Sequence, residues 1–99
     1  MAMGNPTTKD CEDLVSVHDN EIDTVNPKII YFDGATKHVE IVCGGQHLGV
    51  VELVSNQGSL GVIEAGSTHK AICRLGRWYS FNKHQELVVI KQIACLVHI

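Results

Sequence analysis

Residues 48–65 read LGVVELVSNQGSLGVIEA, two runs of Val, Ile and Leu on either side of Asn56-Gln57-Gly58. Aliphatic and β-branched residues suit a pleated, half-buried surface, whereas Asn and Gly tolerate the backbone angles of a tight turn. The stretch predicts strands at 48–55 and 60–65 joined as an antiparallel hairpin. The same alternation of runs and turns extends in both directions, with strands expected at 28–33, 38–43, 70–81 and 86–98 and turns at Gly34, Gly44-Gly45 and Gly66. Connections this short leave no room for the crossover helices of a parallel sheet. Leu14, Val15 and Val17 nearly alternate, so residues 13–18 offer one further strand for a sheet edge. The expected fold is all-β: a small antiparallel β-sandwich or partly open barrel of six to seven strands.

Alternate residues of a strand point to opposite faces, so phase separates core from surface. Val39, Ile41 and Cys43 share one face, opposite His38 and Glu40. In the last run Leu87, Val89, Ile93, Cys95 and Val97 form the inward set, broken by Lys91, where a bulge or an edge would let the ammonium reach water.

The 99 residues, 44% hydrophobic and 19% charged, suffice for one globular core. A core of this size leaves a narrow stability margin, so a covalent staple would matter. The apolar runs 87–90 and 93–97 are far too short to cross a bilayer, and no membrane partner is expected. Residues 1–26 hold six acids against Lys9 and read as an acidic, partly disordered leader before a domain at 27–99. Removal of residues 1–9 should cost less than about 1 kcal/mol in an unfolding experiment, because they bring almost no apolar side chains to bury. The N-terminus lacks the pattern of a signal peptide, and residues 1–4 read as an expression scar, which leaves room for a secretion signal removed upstream.

Cys43, Cys73 and Cys95 fall on the inward phase and, with Cys11, are either small core residues or disulfide partners; four cysteines allow three complete pairings, and the sequence leaves these open. Cys43 with His47 and His69 with Cys73 also carry zinc-ligand types. Extended residues 69 and 73 would lie about 13 Å apart, too far to share one tetrahedral ion, so no metal site is expected. The six histidines fall mostly at polar or turn positions, and no nucleophile-elbow, phosphate-loop or metalloprotease spacing occurs. Neither enzymatic activity nor a cofactor is expected.

The stretch 70–83 concentrates Lys70, Arg74 and Arg77 with Trp78, Tyr79 and Phe81, and Lys83 and Lys91 extend the basic character against Glu86 alone. On an uninterrupted strand Lys70, Ile72, Arg74 and Trp78 face outward, and Ala71, Cys73, Leu75, Tyr79 and Phe81 line the core. Arg and Trp are favoured interface anchors, so Lys70, Arg74, Arg77 and Trp78 form the candidate partner-binding set. A register shift at Gly76 would instead bury Trp78. A sheet edge is the other expected interaction surface, with 14–17 and the last strand as candidates. The partner is expected to be a protein bound by a monomer. The alternative is an intracellular or viral β-domain that binds single-stranded nucleic acid by stacking and phosphate contacts, although the chain as a whole carries a charge of −3.

The strand pattern of residues 11–98, with Ile29-Ile30-Tyr31-Phe32-Asp33-Gly34 as an early strand and turn, resembles the MAX family of secreted fungal effectors. That resemblance implies a six-stranded sandwich, a bridge between Cys11 and Cys73, secretion with entry into a host plant's cytoplasm, and binding of host proteins. Cys43, Cys95 and the long 19–26 segment depart from the simplest members.

Overall fold

The computed structural model describes residues 11–17, 24–44 and 49–97. In chain order the strands are β1 (Val15–Ser16), β2 (Thr24–Val25), β3 (Pro27–Phe32), β4 (His38–Cys43), β5 (Val50–Ser55), β6 (Gly58–Glu64), β7 (Thr68–Arg74), β8 (Arg77–Phe81), β9 (Leu87–Ile90) and β10 (Gln92–Val97). One sheet runs β3-β4-β7-β8-β9. In the other, β10 pairs with β5, β5 with β6, and both short strands β1 and β2 lie along the opposite side of β10. All pairings are antiparallel except β1 with β10. The fold is the all-β sandwich anticipated from the run-and-turn pattern.

The hairpin expected from this stretch forms as β5 and β6, over Val50–Ser55 and Gly58–Glu64, while Leu48 lies outside the described residues. Ser55 organises its turn, its hydroxyl accepting from the Gln57 amide at 2.9 Å and donating to the Gly58 carbonyl at 3.1 Å. Gly58, at φ 95°, takes a backbone conformation that side chains resist. Between the sheets lie Val39, Ile41 and Cys43 of β4, Val51 and Leu53 of β5, and Ile93 and Cys95 of β10, all essentially inaccessible. The Cys43–Cys95 disulfide crosses this core and joins the two sheets. Cys11–Cys73 is the second bridge, the pairing the resemblance implied.

Two of the expected long strands are each two strands. Residues 70–81 fold back at Leu75 and Gly76, whose φ values of 53° and 79° make the left-handed two-residue turn that matches strand twist. The turn reverses the phase beyond it. On one continuous strand residues 73 and 78 would face opposite sides; across the hairpin Cys73 opposes Trp78 and both point inward. Trp78 is therefore core, only 3% exposed, and leaves the expected outward set. Leu75 and Phe81, expected inside, are 78% and 53% exposed.

Residues 86–98 divide at Lys91, where the chain passes from one sheet to the other. Asn56 Oδ1 holds this corner by accepting from the amides of Lys91 at 2.7 Å and Gln92 at 3.2 Å. Phase resets here too: Ile93 and Cys95 are inward as expected, but in β9 it is Val88 and Ile90 that face in, with Leu87 exposed. These two divisions turn six runs into eight strands.

The domain also begins earlier than residue 27. Cys11 and Leu14 are buried in the core, the amides of Val15 and Val17 donate to the carbonyls of Lys91 and Ile93, and β2 pairs with β10. Low average hydrophobicity hid a segment held by a few specific bonds. Residues 1–9, expected to be dispensable, lie outside the described residues. With partners on both sides, β10 is not the edge it was expected to be, whereas β1, within the other candidate at 14–17, does lie at the edge of its sheet beside β2; β6, β3 and β9 are the remaining edges.

Candidate functional site

The β7–β8 hairpin sorts its side chains by register. Arg74 stands opposite Arg77 and Ile72 opposite Tyr79, while across β8 and β9 Tyr79 faces Val89 and Phe81 faces Leu87. These pairs, with Lys70, occupy the outer face of the five-stranded sheet. A shallow groove of about 500 Å³ runs over them, lined by Lys70, Ile72, Arg74, Leu75, Tyr79, Phe81 and Leu87 together with Ser80. No carboxylate lines it. Exposures of 44% for Ile72 and 59% for Leu87, added to those of Leu75 and Phe81, make a connected apolar surface rather than scattered side chains. Phe32 and His38, stacked with centroids 4.7 Å apart, continue the Ile72–Tyr79–Val89 row toward β3.

Of the residues singled out by sequence, Lys70, Arg74 and Arg77 are brought together on this face, and Trp78 is not. Its indole Nε1–H donates to the Glu12 carbonyl at 2.7 Å, and its ring packs 5.9 Å from that of Tyr31. The Tyr31 hydroxyl oxygen in turn accepts from the Leu14 amide at 2.9 Å. Burial raises the Tyr31 pKa and nearby Asp13 adds to this, against the opposing effect of the Leu14 hydrogen bond. Trp78 thus fastens the N-terminal segment to the sheet. Tyr79, Phe81, Leu87 and Leu75 were missed as surface residues. The available signal was length: a twelve-residue run with a central Gly exceeds an ordinary strand.

The residues considered for zinc are used otherwise. Cys43 and Cys73 belong to different disulfides, and His47 lies outside the described residues. His69 faces inward from β7 and is bound to Ser80 at 2.7 Å. The Ser80 hydroxyl donates to the Lys70 carbonyl at 2.8 Å, so its oxygen accepts from the imidazole Nε2–H. Burial lowers the His69 pKa. As pH falls below the ordinary histidine value of about 6.5, the unfolded chain takes up this proton before the folded one, and stability declines until the lower folded pKa is passed. The domain should therefore be less stable near about pH 5 than about pH 7.5. Denaturant unfolding of His69→Gln, whose amide can still donate to Ser80, should show a smaller difference; an unchanged pH dependence would contradict the assignment.

No family model, curated protein or solved structure matches the chain. The two disulfides themselves fit an oxidising, extracellular environment. No helix among the described residues is long and apolar enough to cross a membrane.

Proposed function

We propose that the chain is a secreted, non-enzymatic interaction module that binds a protein partner through the outer face of the β3-β4-β7-β8-β9 sheet and its adjoining β9 edge. The observation that carries this reading is the convergence of Ile72, Leu75, Phe81 and Leu87, all well exposed, with Lys70 and Arg74 along one groove and Arg77 beside Arg74 in register. A soluble domain seldom leaves such a surface uncovered without a use for it. Edge strand β9 is wholly apolar, with unpaired backbone groups that a partner strand can complete. The basic rim disfavours stacking of this face on its copy, in keeping with a monomer. In the MAX-effector reading the partner is a host protein met after entry into the host cytoplasm.

Single-stranded nucleic acid is the second reading, favoured by the exposed Phe81 beside Lys70, with the arginines farther along the same face. The exposed aliphatic side chains of Ile72, Leu75 and Leu87 favour protein, since they offer no ring for a base to stack on.

Peptides selected from a random library on the folded chain provide the test. Arg74→Ala and Phe81→Ser should shift unfolding free energy by no more than about 0.5 kcal/mol, as surface substitutions do. Each should weaken the selected peptides, by about 2 kcal/mol where the residue is an anchor. Binders indifferent to both substitutions would place the interaction elsewhere.

A further inference from the structure

We infer that the occupant of this face is an extended acidic segment, with one carboxylate and two apolar side chains at alternate positions, lying along β7 and β8. The inference rests on the docking-face reading above and adds the chemistry of the partner.

The face is ordered along the strands. At the turn end, Arg74 and Arg77 stand side by side in register. The next outward row is Ile72, Tyr79 and Val89, and the row beyond contains Phe81 and Leu87. Outward residues recur every second position, so the rows lie about 7 Å and about 13 Å from the arginine pair. An extended ligand has the same repeat. A carboxylate over Arg74 and Arg77 therefore puts its second and fourth neighbours over the two apolar rows. Lys70, beside Phe81 on the same face, stands opposite Glu40 of β4, so the far end is charge-balanced and the arginine end alone selects the acid.

Charge decides which residue sits at the turn end. Arg74 and Arg77 are register partners; no carboxylate lines the groove beside Arg74, Arg77 borders a separate hollow with Glu12 and Asp13, and among the described residues neither arginine is in an ion pair. A ligand carboxylate relieves this like-charge juxtaposition and accepts hydrogen bonds in the planar geometry guanidinium favours. A ligand lysine there would add a third cation.

The probe is a short capped peptide with one glutamate, leucines at the second and fourth positions beyond it, and serine elsewhere. It is titrated into the isotope-labelled chain beside a glutamate-to-lysine version, a version with the glutamate moved by one position, and oligothymidylate. The glutamate peptide should shift the amides of Ile72, Arg74, Arg77 and Phe81 saturably, and weaken as salt is raised. The lysine version should bind at least about tenfold more weakly, because like charges placed together cost more than the 1.4 kcal/mol that factor represents. The displaced glutamate should also lose affinity. In Arg74→Glu/Arg77→Glu, whose sites are exposed, the preference between glutamate and lysine should invert while amide dispersion stays native. Equal binding of the two charge forms, no binding by either, or tighter binding of oligothymidylate would overturn the inference. Library-selected peptides that map to this face but carry no acid would sink the acidic occupant and leave the docking face standing.

Discussion

Trp78→Ala should destabilise the domain by about 3–5 kcal/mol, the usual effect of truncating a buried aromatic side chain. A domain of this size has only about 5–15 kcal/mol in total, so the variant should melt far below wild type. The loss has three sources: the cavity left between the sheets, the ring contact with Tyr31, and the hydrogen bond to the Glu12 carbonyl. Trp78→Phe retains most of the packing and loses that bond, so it should cost much less, with about 1 kcal/mol from the hydrogen bond itself. Denaturant unfolding of both variants separates these terms. A Trp78→Ala protein that unfolds within about 0.5 kcal/mol of wild type would mean that the indole is on the surface and that residues 70–81 are one continuous strand.

Removing either disulfide should cost about 2–5 kcal/mol. The bridges span 62 and 52 residues, and the chain entropy they remove grows only logarithmically with that length, so the two contribute nearly alike to stability. Their accessibility differs. Cys43 and Cys95 are both fully buried between the sheets, whereas Cys11 retains 7% exposure and Cys73 is only partly buried. Exchange requires a thiolate to reach sulfur. Under native conditions a graded thiol reductant should therefore open Cys11–Cys73 first, and Cys43–Cys95 only as the domain unfolds. Alkylation and peptide mapping at each step reads the order. The reverse order, or simultaneous opening below the unfolding transition, would contradict this placement of the bridges.

Much of the fold was legible because alternation is a strong signal where a strand has one buried face. Val39, Ile41 and Cys43 are buried as their phase requires, and the Asn56-Gln57-Gly58 turn is a hairpin. Phase failed where the chain changed direction within one or two residues, too abruptly for the run to look divided. Leu75-Gly76 makes a full reversal in two residues, and Lys91 is a single-residue corner; each resets which side chains face inward. Composition failed at the N-terminus for another reason. Cys11 and Leu14 are only two apolar side chains in an acidic segment, yet a disulfide and two long-range hydrogen bonds, involving Trp78 and Tyr31, attach it to the sheet. No local pattern encodes partners separated by dozens of residues. The candidate site was legible in its charges, Lys70, Arg74 and Arg77. Its apolar half was assigned to the core, Tyr79 and Phe81 through the phase shift at Leu75-Gly76 and Leu87 through that at Lys91, while the burial of Trp78 follows the alternative that a shift at Gly76 offered.

The most direct test of the docking face is an amide chemical-shift map of the labelled chain on saturation with a library-selected peptide. Perturbations should concentrate on Lys70 to Leu75, Arg77 to Phe81 and Leu87 to Val89, with β5 and β6 unmoved. A map centred on β5 and β6, or on the loop at residues 33–37, would contradict the assignment of the β7-β8-β9 face as the binding surface.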